Sequence, residues 1–162
     1  SKEGFESKYS YLPENIECID NVLVAWRNGG LWTHDSDTKN NFFGIQYDSE
    51  INKVFNSPTK KTFETVSQTG STVWDCPEIS TSTFSYGTTA QQSNLVVSDF
   101  ETIEGESDAA LLKDSNSVNG LNDGDVLKGK YIIIKFRAEN ASNFVFLNSA
   151  SVWFIDSPLN KR

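Results

Sequence analysis

Apolar and polar residues follow one another along this chain in short runs with a period close to two, and helical spacing is nearly absent. The runs are rich in β-branched and aromatic residues and are bounded by Gly, Asn, Asp, Ser or Pro, as strands separated by turns should be. Asn21–Arg27 (NVLVAWR), Asn28-Gly29-Gly30 and Leu31–His34 predict two paired strands, because Asn-Gly supports the positive φ angles of a two-residue hairpin turn. Phe42–Tyr47 and Glu50–Phe55 predict the next extended stretch, with a break at Asn56-Ser57-Pro58. Thr62–Gln68 sets Phe63, Thr65 and Ser67 against Thr62, Glu64, Val66 and Gln68, and Thr69-Gly70 closes it. Ile79–Tyr86, rich in Ser and Thr, suits an edge or solvent-facing strand. Leu95–Ile103 and Ala109–Lys113 read as two more short extended segments.

The strongest pattern comes late in the chain. Lys128–Ala138 (KGKYIIIKFRA) and Phe144–Ile155 (FVFLNSASVWFI) flank a polar turn, Glu139–Asn143, and predict a long antiparallel pair. Ile132, Ile134 and Phe136 share one face of the first, with Tyr131, Ile133 and Lys135 on the other. Phe144, Phe146, Val152 and Phe154 share one face of the second, so Ile134 and Phe146 are both expected in the core. About seven to ten strands at this spacing predict an all-β fold, an antiparallel β-sandwich or jelly roll. No linker interrupts residues 1–162, which read as a single domain. Thr33–Asn41, Tyr86–Asn94 and Ser115–Asp125 are the expected loops.

Composition narrows the function classes. Four Trp, five Tyr and eleven Phe in 162 residues supply a core, which excludes whole-chain disorder. The 14 Lys and Arg are scattered and outnumbered by 22 Asp and Glu, giving a net charge of −8, so no nucleic-acid partner is expected. No run approaches the ~20 apolar residues that cross a bilayer as a helix, so no membrane insertion is expected. The chain has no Met, not even a first one, and is expected to be a piece of a longer protein. Cys18 and Cys76 are too few for a disulfide scaffold; a bridge between them is open, and buried reduced thiols are the simpler expectation.

Catalysis finds little to work with. His34 is the only histidine, so a histidine metal site or a hydrolytic triad would hang on one residue, and no Gly-x-Ser-x-Gly elbow supplies a nucleophile. Its neighbour Asp35 is what a polar strand-to-loop transition routinely provides. The acids cluster in Ser98–Asp108 (SDFETIEGESD), where a charged strand edge that resists unwanted pairing is the ordinary reading. Asp35-Ser36-Asp37 opens like a helix-loop-helix calcium loop, but Lys39 replaces a ligand and the Gly and closing Glu are missing. Asn122-Asp123-Gly124-Asp125 offers oxygens around a turn glycine of a kind common without any ion. Asn140-Ala141-Ser142 fits the N-glycosylation pattern. No enzyme, cofactor or metal is expected.

Aromatic side chains are the remaining candidates. Trp26 and Trp153 lie inside apolar runs and are expected in the core, whereas Trp32 and Trp74 lie beside turns and are expected at the surface. Trp32, His34, Phe42, Phe43 and Trp74 form the candidate interaction surface, either a subunit contact or a platform for stacking sugars.

The order of several phrases resembles one family. Tyr9–Pro13 (YSYLP), Val22–Arg27, Asn28–His34 (NGGLWTH), Asn40–Ser49 (NNFFGIQYDS), Lys61–Glu64 (KTFE), Leu121–Tyr131 (LNDGDVLKGKY) and Phe144–Pro158 (FVFLNSASVWFIDSP) are similar to C-terminal portions of virion structural proteins of tailed phages. Among these the order resembles the muzzle and related tail proteins of crAss-like phages. The resemblance spans nearly the whole chain and rests on shared order rather than on any one motif. It implies a β-rich, disulfide-poor virion component, made in the bacterial host cytoplasm and assembled into repeated rings of the tail. The implied partners are other copies of the chain and neighbouring tail proteins, with a host-surface glycan as the alternative. The motifs are structural, so no catalytic residue carries over.

Overall fold

A computed structural model describes residues 11–34, 37–82, 90–116, 125–139 and 142–156. The fold is all-β, antiparallel throughout and β-sandwich-like, as the pattern predicts. Its residues gather in two compact units. The first holds those up to Asp48 together with 142–144, and the second those from Ser49 onward apart from that short insert. Among the described residues no helix is long and apolar enough to cross a membrane.

The first unit is built from tight hairpins. β1 (Asn15–Ile19), β2 (Val22–Arg27) and β3 (Gly30–Thr33) form a three-stranded meander, and β4 (Asn41–Phe42) pairs β5 (Ile45–Gln46). Arg27 faces Gly30 across the predicted turn, with Asn28 at φ 52° and Gly29 at φ 74°. Positive φ at both central residues is the turn whose twist matches paired strands. The same geometry recurs at Asp20-Asn21 (φ 48° and 64°) and at Phe43-Gly44 (φ 56° and 76°), neither of which was expected. Asp and Asn tolerate that region, but a bulky phenylalanine does not adopt it without support.

The second unit is one curled sheet built on a single long strand. β6 (Ser49–Gly70) is followed by β7 (Asp75–Thr81), β8 (Gln92–Leu95), β9 (Glu101–Ile103), β10 (Glu106–Ala110), β11 (Lys128–Ala138) and β12 (Leu147–Asp156). The first part of β6 pairs β11, and its last part pairs β10 and β12 together. Gln68 faces both Ser107 and Ala150, while Thr62 faces both Lys128 and Ile155. β12 therefore lies across β6 from both β10 and β11.

Four expectations change here. β11 and β12 do not pair with each other; each takes an opposite edge of β6, so the polar segment between them is not a hairpin turn. β6 continues through the predicted break at Asn56-Ser57-Pro58, although the ladder does lapse there. Asn56 faces Tyr131 and Lys61 faces Gly129, which leaves four residues of β6, Ser57 to Lys60, against Lys130 alone. Pro58 has no N–H to donate and fits where no ladder bond is required. Ser82 closes the gap: its Oγ accepts from Lys130 N at 2.9 Å and its N–H donates to Tyr131 O at 3.2 Å. A Cβ at Gly129 would lie 2.8 Å from Tyr131 O, so only glycine fits this approach. Finally, β7 is not an edge strand, because it lies between β8 and β11. β8 also begins inside the expected Tyr86–Asn94 loop.

The core follows from alternation on β11, whose Ile132, Ile134 and Phe136 are fully buried against Cys76 and Ile79 of β7, Leu95 of β8 and Leu127. The expected inward face of the last strand is not buried: Phe144, Phe146 and Phe154 are 74%, 48% and 48% exposed. Among the described residues β12 bonds to β6 alone, so Phe154 has no second strand beside it. Arg137 donates from Nη2 to Asp75 Oδ2 at 2.7 Å and from Nε to Oδ1 at 3.3 Å, tying β11 to β7. Gln68, buried, accepts from Trp74 N at 3.0 Å and donates to Trp74 O at 2.7 Å, which fixes the path from β6 into β7.

Neither thiol is bridged. Cys76 is buried as expected, but Cys18 is exposed, since β1 has every residue open to solvent. Burial, reinforced by the Asp75 carboxylate, pushes the Cys76 thiol from 9.0 up to about 12. The neutral thiol thus favours folding fully below pH 9.0, and that contribution is lost as the pH rises toward 12. In urea titrations at increasing pH, Cys76→Ala is expected to lose less stability above pH 9.0 than the parent does. At neutral pH, Ile134→Ala should cost about 2–5 kcal/mol, while Phe146→Ala should cost under about 1 kcal/mol, inverting their expected equivalence. Equal midpoint shifts for these two variants would contradict the burial described.

Candidate functional site

Four of the five candidate residues come together in the first unit. Trp32 is on β3, His34 directly follows it, and Phe42 and Phe43 lie on and beside β4. The hairpin turn at Phe43-Gly44 is what carries Phe43 back toward the others. Tyr11 sits at the centre, only 7% exposed, with its ring stacked on Phe42 at 4.1 Å between centroids. Phe43 meets Tyr11 edge-on at 5.6 Å and Trp32 edge-on at 5.8 Å. The His34 ring lies 5.4 Å from Tyr11 and 6.2 Å from Phe42, and Tyr47 closes the far side at 6.0 Å from Phe42. Arg27 places its guanidinium 5.1 Å from the Phe43 ring centre. Stacked and edge-to-face pairs of this kind each add about 0.5–1.5 kcal/mol beyond their buried area. That packing is what offsets the left-handed backbone at Phe43.

Chemically the cluster is a small aromatic core with one open member, Trp32, 38% exposed. His34 extends the β2–β3 ladder, donating its N–H to Leu23 O at 3.0 Å. Its Nε2 is buried and has no hydrogen-bond partner, and the rings around it offer neither a nucleophile nor a carboxylate. Among the described residues, no three His, Cys, Asp or Glu side chains converge as metal ligands. Asp35-Ser36, Asn122-Asp123-Gly124 and Asn140-Ala141, where calcium or glycan attachment was considered, lie outside the described residues. Sequence reasoning missed Tyr11, Tyr47 and Arg27; Tyr11 and Tyr47 stand in quoted aromatic phrases, and only the hairpins bring all three inward.

Trp74 does not join them. It belongs to the second unit and is 3% exposed, and the Gln68 amide holds its backbone. Trp153, expected in the core, is 63% exposed, and Trp26 is half-buried. The sequence therefore assigns the two tryptophans of the second unit the wrong way round. Trp153 lies across the outer side of β6, its Nε1 donating to Ser67 Oγ at 2.9 Å, and Ser67 in turn bonds the Asp108 carboxylate. This contact explains why Ser67, on the outward side of β6, is only 1% exposed. Beside it, Lys61 pairs with Asp156 and lies 4.9 Å from the Phe154 ring centre. Trp153 and Ile155 on one face of β12 and Phe154 on the other are all exposed, and this apolar end of β12 is the second candidate surface.

No protein-family model matches the chain, and no curated protein sequence matches it significantly.

His34→Phe replaces an unpartnered buried nitrogen with carbon and is expected to be neutral or stabilising by up to about 1 kcal/mol in urea unfolding. Phe42→Ala, which removes the ring stacked on Tyr11, is expected to cost about 2–3 kcal/mol. A larger loss from His34→Phe than from Phe42→Ala would mean the imidazole has a role that its neighbours do not reveal.

Proposed function

We propose that this chain is a non-catalytic structural module that works through subunit contacts, as a component of a tailed bacteriophage particle. The observation that carries the reading is the exposed apolar end of β12. Trp153, Phe154 and Ile155 stay open to solvent in a unit whose core is already filled by β7, β8 and β11. Trp153 and Ile155 share one face of β12, and neighbouring exposed apolar residues of this kind mark protein contact surfaces. The motif order described above supplies the setting, a tail or muzzle protein whose partners are other copies of itself and neighbouring tail proteins.

The glycan-binding alternative called for Trp32 and Trp74 to flank one groove. Burial of Trp74 removes half of that platform, and Trp32 stands at the rim of an aromatic core rather than beside a second stacking ring. The subunit-contact reading is therefore favoured.

Immunogold labelling of purified particles of a phage encoding the chain tests the proposal. Label confined to the tail is expected. Reproducible absence of label, with the epitope shown to be accessible, would overturn the virion role.

A further inference from the structure

We propose that two copies of this chain join through the outer edge of β12, by antiparallel pairing of β12 with β12 about a two-fold axis at Val152. The inference rests on the subunit-contact reading and names both the surface and the partner.

The backbone is the starting point. β12 bonds through one edge, to β6, and no described residue bonds the other. An open edge presents a row of N–H and C=O groups that accept a further strand, and natural edges are guarded against this by shortness, Lys or Pro. The two end strands of the main path, β8 and β9, have four and three residues. β12 has ten, and from Ser149 to Ile155 it carries neither Lys nor Pro. The ladder to β6 slips at Asn148, before this stretch, and again between Trp153 and Phe154, where the extra residue, Glu64, belongs to β6 and not to β12.

Charge selects the same place. Two copies of a chain with net charge −8 repel each other over most approaches. Ser149–Ile155 has no ionisable side chain, and Asp156 at its end is already neutralised by Lys61. Two copies meet here without setting like charges against each other.

Side-chain size fixes the orientation. In an antiparallel pair, facing residues share the same hydrogen-bonding state, so for identical strands their numbers sum to an even value and the axis falls on a residue. With the axis at Val152, Ser151 faces Trp153 of the second copy, Ala150 faces Phe154, and Ser149 faces Ile155. The small half of each strand receives the large half of the other. Parallel pairing in register would instead set Trp153 against itself.

Sedimentation velocity of the 162-residue chain is expected to show a dimer whose population grows with concentration. Ser151→Lys, at an exposed position that faces Trp153 of the other copy, is expected to shift it to monomer without lowering the melting temperature. In a Cys18→Ser background, Val152→Cys is expected to form an intermolecular disulfide on mild oxidation, because the axis brings that position onto itself, whereas Ile103→Cys on β9 is not. A chain that stays monomeric with its β12 amides protected from hydrogen exchange would mean another segment of the same chain occupies the edge, and overturns the inference. So does a dimer that Ser151→Lys leaves intact and Val152→Cys does not link. A monomer that still labels the phage tail removes this inference and keeps the virion role; a dimer absent from particles removes the virion role and keeps this inference.

Discussion

Backbone amides and carbonyls in a sheet must find partners along the whole length of the strand, and in this protein that requirement falls on β6. Its 22 residues exceed what any one neighbour supplies, so three strands divide them: β11 for the first part, β10 and β12 for the last. β11 pairs β6 on both sides of the four residues around Pro58 that leave the ladder; β12 begins just after them at Lys61, and β10 replaces β11 beyond Thr62. Such an interruption increases local twist and bends the strand. Curling the sheet there brings Phe63 and Val66 of β6 toward the same interior as Ile134 of β11 and Ile79 of β7. Ser82 and Gly129 are the local devices that let the backbone pass through this point without losing its hydrogen bonds.

The same arrangement decides which apolar residues are left over. Strands between two neighbours bury one face in the curl, and their alternation is clean. β12 has a neighbour on one side only and follows the outer edge of β6, so its large residues have no interior to enter. Trp153 lies over Ser67, and Lys61 sits beside Phe154. The first unit meets a related difficulty differently. Its strands are too short to enclose a core, and three two-residue hairpins fold six aromatic and imidazole rings against one another.

Legibility in the sequence tracks locality. β11 was readable to the residue because a period of two with Ile132, Ile134 and Phe136 on one side directly reports one buried face. The Asn28-Gly29 hairpin was readable because the turn chemistry is written in two adjacent residues. The turn at Phe43-Gly44 was not, since nothing local favours a phenylalanine there and the support comes from Tyr11, Trp32 and Arg27. In the candidate site, Trp32, His34, Phe42 and Phe43 are legible as aromatic residues beside turns, whereas Tyr11 comes from a distant part of the chain and Tyr47 and Arg27 join only through ring contacts that the hairpins create. Trp74 reads as a surface residue beside a turn, and the Gln68 amide that holds its backbone is a contact no spacing rule encodes. β12 is apolar on both faces, which hides the one fact that matters about it, that it is an edge.

The partners of β6 also set the order in which this protein can be assembled. Lys61 and Asp156, paired across β6 and β12, are 95 residues apart, and the β11 ladder is scarcely more local. Pairings of that range are slow to form, because the entropy of closing a long loop is lost before any contact compensates it. A ribosome releases β6 well before either of the strands that complete it. During that interval the nascent chain holds a long segment with both sides open, so the rate of synthesis and the helpers bound to the emerging chain bear on how much of it reaches the native sheet.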